Sequence, residues 1–439
     1  MRRLLWGLAV AVACGAAVAG VLAASPTRAQ EDQPQVAGPE LREEPGGELS
    51  VRITPEMVRY SHTRYALYFA GALVEVVALW ALLRFRVSAR LRDFAERRGR
   101  NGVQRAYLYY PLLTLVYSVL TLPLAFYSSY LLPHQYGLSN QTPGGWVLDL
   151  AKRFAIGAVI APPLIAFLYW SIRRSPRRWW LAFWLASIPL LIAAVLLSPL
   201  IIDPLFNRFG PLQDEALRTR ILALAEQAGI ENSRVFEVDA SVRTKQVNAY
   251  VTGLGGSARI VLWDTLLQRL DDDEVLFVMA HEMGHYVERH VPIGLALSIC
   301  GSLVLLWAVD RGSRRILARK GAAWEVRGLD DLASLPLLLL LLSVLNFLGS
   351  PVESAISRTI ESRADQFALR LTNAPRAGIS AYVKLAELNL AHPSPPPFIE
   401  YWMFSHPSLQ KRINAAREWE QRQQPAIGGE QSAVNRGDE

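Results

Sequence analysis

Apolar positions in this chain are gathered into long runs, and over most of its length they do not alternate with polar ones at helical or strand period. Six stretches, at residues 66–83, 107–132, 154–172, 179–201, 291–309 and 332–350, are apolar all round with few charges. Most come close to the ~20 residues that cross a bilayer as helix. Buried helices of a large soluble core would be shorter and striped with polar residues. The pattern therefore predicts six membrane spans. A seventh apolar run, 4–24, follows Met1-Arg2-Arg3 and precedes a stretch rich in Pro, Gly and Glu. Its charged start and a cleavage-like Thr27-Arg28-Ala29 suit an exported signal, while its length suits a retained span, so residues 1–29 are read as either. Residues 30–65 then form a linker, 66–201 and 291–350 the membrane helices, 202–290 and 351–421 two parts of one further domain, and 422–439 a disordered tail.

Composition agrees with this division: 51% of the 439 residues are hydrophobic, too many for an ordinary soluble enzyme. A net charge of +7 invites a nucleic-acid reading, but the basic residues form no single patch. Eight arginines lie in 84–106, four in 173–178, and five with Lys320 in 310–331, whereas 133–153 holds only Lys152 and Arg153. Counted through the spans, the three basic segments share one side. By the positive-inside rule that side is cytoplasmic, which puts 202–290 on the opposite face of a multi-pass cell-membrane protein. Nucleic acid is excluded as a partner and the lipid bilayer is implied. The two cysteines, Cys14 and Cys300, supply neither a disulfide framework nor a thiolate metal site.

The chemistry is concentrated in Val278-Met279-Ala280-His281-Glu282-Met283-Gly284-His285-Tyr286, which spells H-E-x-x-H. On a helix, residues four apart share a face, so two imidazoles converge on one metal while the intervening glutamate reaches a water beside it. Asp271-Asp272-Asp273-Glu274 just upstream supplies carboxylates that favour a helix start, and an apolar stretch, 275–280, carries the motif inward. Downstream, Glu361 and Asp365 are four apart in a helix-compatible stretch. A carboxylate ligand with a second carboxylate one turn on would complete and orient a three-ligand site, although the spacing alone equally suits a solvated helix face. His406, in a Ser-His-Pro turn, reads as well as a helix start as it does as a functional histidine.

Several blocks in order carry a resemblance: Pro204-Leu205-Phe206-Asn207, Val247-Asn248-Ala249-Tyr250-Val251-Thr252-Gly253, Arg259 to Leu267, the H-E-x-x-H helix, Ser357-Arg358 with Glu361 and Ala364-Asp365, and Ser405-His406-Pro407 with Arg412-Ile413. From about Pro204 to Ile413 the chain resembles the type I CAAX prenyl protease family of integral-membrane zinc metallopeptidases, which are H-E-x-x-H gluzincins. Tyr136 and Ser139, around Gly137, depart from the family's histidine and asparagine. The resemblance implies an α-helical polytopic membrane protein with a small α/β zincin-like metallopeptidase domain, holding one zinc ion per chain. It implies His281, His285 and Glu361 as metal ligands, Glu282 as general base and acid, and Asp365 as the carboxylate behind a ligand. It further implies His406 as a donor to the oxyanion, Asn248, Ala249 and Tyr250 as substrate contacts along an edge strand, and Arg412, close to His406, as a further substrate contact.

The activity expected is cleavage of peptide or membrane-protein substrates, with or without a lipid, by metal-activated water. CAAX-type processing of prenylated C-termini is the alternative, at odds with a site facing away from the cytoplasm. A scaffold would sooner have lost one of Glu282, His281, His285 or Glu361. A zinc transporter would need ligands within the spans, where Glu75 is the clear exception to an absence of His, Asp and Glu. His62, His134, His290 and His392 receive no role.

Overall fold

The computed structural model describes residues 49–252 and 259–423. The signal or first span at 1–29, the linker as far as residue 48 and the tail beyond residue 423 lie outside them. Six described helices are long and apolar enough to cross a membrane, matching the six runs in the sequence. They are α1 (Pro55–Arg84), α3 (Gly102–Phe126, prolonged to Gln135 through a π-helical turn at Tyr127–Leu131), α4 (Pro143–Arg174), α5 (Trp179–Leu197), α8 (His290–Trp324) and α9 (Leu335–Thr372). A further helix, α2 (Val87–Arg98), follows α1. Helix α1 packs along α9, α3 along α4, and α5 along α8. Leu185, Leu190 and Leu196 on α5 and Val304 and Trp307 on α8 are exposed, as side chains that face lipid can be and those of a soluble core cannot.

Several boundaries differ from those the apolar runs predict. Residues 55–65, read as linker, are already helix, because Thr54 caps α1 by accepting the Met57 amide at 3.1 Å and Pro55 pre-sets its first turn. The basic segment 84–106 holds α2 and the start of α3, and 310–331 carries α8 on to Trp324. Helix α9 does not end at 350 but continues for 22 residues to Thr372, so the further domain resumes inside a spanning helix. Hydrophobicity marks where lipid ends; it does not mark where a helix ends.

The three basic segments pack together at one end of the bundle. Arg92 and Asp331 form a buried ion pair, Arg86 Nη1 meets Glu325 at 2.6 Å, and Arg327 meets Glu96 at 2.9 Å. Trp179 Nε1 donates to Asp310 at 2.6 Å, and Arg314 reaches the Pro176 carbonyl.

At the other end sits the domain built from β1 (Phe209–Pro211), α6 (Glu215–Gln227), β2 (Arg234–Val238), β3 (Ala249–Thr252), β4 (Arg259–Trp263), α7 (Asp272–Val287), α10 (Pro375–Leu388), α11 (Pro397–Met403) and α12 (Leu409–Gln423). The sheet runs β1-β2-β4-β3, with β2 and β4 parallel and both outer strands antiparallel, so β3 is an edge. Ile221, Ile260, Leu262, Met279 and Val383 are all buried in one core between sheet and helices. Helix α7 begins where the acidic run predicts: Asp271 accepts the Glu274 amide at 3.0 Å and Glu274 accepts the Asp271 amide at 2.9 Å, a capping box.

Candidate metal centre

Helix α7 carries the H-E-x-x-H motif and crosses α9, which carries Glu361. The crossing is close because of Gly284: a Cβ there would stand 3.1 Å from Phe367 of α9. The free position of the motif therefore sets how near the two helices come. Ligand atoms of His281, His285 and Glu361 lie within 4.8 Å of one another. His281 Nε2 is 3.2 Å from His285 Nε2 and 3.3 Å from Glu361 Oε2, and His285 Nε2 is 3.5 Å from Glu361 Oε1. Three lone-pair donors converging on one point suit a cation. Glu361 Oε2, buried without a hydrogen-bond partner, gives the same indication.

Each histidine is held from behind. With Nε2 turned to the cluster, the proton of His281 belongs on Nδ1, which lies 2.8 Å from Asp365 Oδ1. Asp365 is itself gripped by Arg412, at 2.9 Å from Nε and 2.5 Å from Nη2, and by the Tyr382 hydroxyl at 2.7 Å. Burial raises the Tyr382 phenol above its ordinary pKa, keeping it a donor. Behind His285 stands His290, its Nδ1 3.0 Å from His285 Nδ1 and its Nε2 3.3 Å from Glu288 Oε2. Glu282 is half-buried beside the cluster. Burial pushes its carboxyl above the ordinary value while His281 and His285 oppose this, and a bound dication would oppose it further.

His406 arrives on the loop before α12. Its Nε2 comes within 3.2 Å of Glu361 Oε2, off the line of a hydrogen bond, and its Nδ1 is 2.8 Å from the Ser405 hydroxyl. With Ser405 donating to Nδ1, Nε2 carries the proton and points toward the cluster.

The substrate contacts divide. Asn248 is exposed beside edge strand β3 and Tyr250 is half-buried within it. The Ala249 side chain is 4% exposed and packs in the core, leaving only its backbone for a partner chain. Arg412, expected among the substrate contacts, is instead buried behind His281. Its guanidinium is committed to Asp365 and lies 4.3 Å over the Tyr382 ring. A charge that must be desolvated is satisfied by the carboxylate next to it, so Nε and Nη2 are turned to Asp365 and away from a peptide.

Two members of this arrangement escape sequence reasoning. Tyr382 lies on α10 with no motif around it. His290 follows His285 by five residues, a spacing that does not bring side chains together on a continuous helix. Arg289, at φ 57°, breaks the helix between α7 and α8 and folds His290 back onto His285. The nearby Glu288 and the end of the motif helix were the available signal.

Fold and site together define a helical membrane protein with an H-E-x-x-H metal centre. Residues 211–420 match the model of peptidase family M48, and residues 47–208 match that of the CAAX prenyl protease N-terminal region, described as five membrane helices. An uncharacterized metalloprotease of Bacillus subtilis, YhfN, is 38% identical over 362 residues, covering 82% of this chain and 85% of that one. CAAX prenyl protease 1 of Saccharomyces cerevisiae is 28% identical over 339 residues, 72% of each chain. The crystal structure of S. mikatae Ste24p superposes with a TM-score of 0.72 at 24% identity, over 82% of this chain and 87% of that one. The chain belongs to peptidase family M48, and it is a multi-pass membrane metalloprotease.

Proposed function

We propose that this protease uses one zinc ion per chain, held by His281, His285 and Glu361, to cleave peptide segments of membrane-associated substrates on the face away from the cytoplasm. The observation that carries the reading is the convergence of those three side chains within 4.8 Å, at the bundle end opposite the three basic segments. When bound, zinc supplies Lewis acidity toward water and a carbonyl.

The chain's own groups do the rest. Glu282, adjacent to the ligands, takes the proton of the attacking water and passes it to the leaving amine. His406 presents its Nε2 proton to the oxygen that gains charge. Asp365 fixes the tautomer and orientation of His281, and Arg412 and Tyr382 fix Asp365. The free side of β3 offers backbone groups at Asn248, Ala249 and Tyr250 to an extended peptide. The bilayer delivers substrates tethered to it, with or without a lipid of their own.

A second reading, removal of residues from prenylated C-termini, is favoured by the names of relatives such as the CAAX prenyl protease 1 homolog of Oryza sativa, 26% identical over 370 residues. Purified, zinc-loaded protein is to be assayed on an unmodified peptide library and on a farnesylated peptide ending in a CAAX motif. Wild type is expected to cut. Glu282→Ala is expected to retain zinc and lose at least about 100-fold in kcat/KM. Cutting confined to the farnesylated peptide would replace the first reading by the second. Full activity in Glu282→Ala would remove the assigned base.

A further inference from the structure

A cavity of about 310 Å³ opens beside the N-terminal end of β3, lined by Arg153, Arg243, Asp149, Asn207, Phe206 and Trp263 among others. Its volume is at the low end for a ligand site, enough for the end of a chain. Trp263 ties the cavity to the edge strand, since its amide donates to the Asn248 carbonyl at 3.2 Å.

Charge inside the cavity is unbalanced. Asp149 accepts the Gln141 amide at 2.8 Å and stands 3.6 Å from Arg243, whose guanidinium also reaches the Asn207 amide oxygen. Asp149 is thus matched by Arg243. The Arg153 guanidinium lies 5.5 Å from the centre of the Phe206 ring and has no carboxylate or carbonyl partner among the described residues. Arg153 is exposed, and its guanidinium, set beside an aromatic ring that also carries the Lys152 ammonium at 5.6 Å, is free to hold a carboxylate in a forked pair of hydrogen bonds.

The direction of a peptide on β3 decides which end of it enters. An antiparallel strand pair is the more stable and the more frequent arrangement. A peptide laid antiparallel on the free edge of β3 runs its C-terminal side toward Asn248 and so toward the cavity. We propose that this cavity is a carboxylate subsite, in which Arg153, supported by Arg243, holds a carboxylate carried on the C-terminal side of the cleaved bond. Phe206 and Trp263 wall the apolar part of the same residue. The proposal rests on the reading that substrate extends along β3.

The test uses the full, zinc-loaded chain and one peptide library in three forms: with a free C-terminal acid, with a C-terminal amide, and with an amide following a terminal Asp. The acid form is expected to exceed the plain amide by about tenfold or more in kcat/KM. Arg153→Gln brings that ratio near one, and Arg153→Lys restores part of it. The third library identifies the source: rates equal to the acid form mean a side chain serves, and rates equal to the plain amide mean the main-chain carboxylate is required. Equal rates on all three in the wild type overturn the proposal. So does a preference that survives Arg153→Gln, or one lost equally in Lys320→Gln, a charge change at an exposed position in the basic cap. Cleavage that persists in Glu282→Ala counts against the catalytic reading alone and is seen separately.

Discussion

At the scale of single residues, the site depends on what stands behind each ligand. A histidine ligand needs its second nitrogen tied, because the partner selects the tautomer that leaves a lone pair for the metal. His281 has Asp365 for this, and His285 has His290. Replacing His290 with Phe keeps an aromatic ring and removes the acceptor, and zinc affinity is expected to fall by about 10- to 100-fold. His290→Gln, which retains an acceptor, should recover part of the loss. Competition with a chelator of known affinity measures both. A dissociation constant unchanged in His290→Phe would mean that the 3.0 Å contact with His285 positions nothing.

At the scale of elements, the centre is a crossing of α7 and α9, and two features hold that crossing. One is Gly284, where a Cβ would press on Phe367 at 3.1 Å. Gly284→Ala is expected to lower stability by about 1–3 kcal/mol through overpacking, and to weaken metal binding as Glu361 moves away. Thermal unfolding with and without zinc separates the two effects. The other is Glu274 at the start of α7, 1% exposed, which takes the Ser380 hydroxyl at 2.5 Å and the Lys384 ammonium at 2.6 Å. It closes the capping box and bolts α7 to α10 at once. Glu274→Ala leaves a largely buried ammonium with only the more distant Asp271 carboxylate, 3.7 Å away, and is expected to cost about 3 kcal/mol, readable as a drop in Tm.

At the scale of the whole molecule, charge and chemistry occupy opposite ends. Ion pairs between 84–106 and 310–331, and hydrogen bonds linking 310–331 to 173–178, gather the basic segments into one cap, while α9 runs from that cap to the metal centre. If the cap is cytoplasmic, the centre faces out. In a Cys14→Ser, Cys300→Ser background, Ser394→Cys at the metal end is expected to react with an impermeant maleimide in intact cells, and Arg177→Cys only after lysis. The opposite result would turn the protein over and make the prenylated cytoplasmic substrates of the second reading accessible.

Six spans, the start of α7 and the paired histidines of H-E-x-x-H were legible because each is written locally: a bilayer selects run length, a helix start selects carboxylates, and a candidate metal site selects spacing. Glu361 and Asp365 were visible only through resemblance, since their spacing equally suits a solvated face. What the tertiary structure alone decided was long-range or set by backbone geometry. It buried Arg412 behind Asp365, turned Ala249 into the core, brought Tyr382 across from α10, and folded His290 onto His285 through one left-handed residue. It also set Arg153 of α4 beside Phe206 and in one cavity with Trp263, both more than fifty positions further along the chain. Sequence patterns report forces that act between neighbours. Where a buried charge finds its partner depends on which distant elements pack beside it, and only the folded chain settles that.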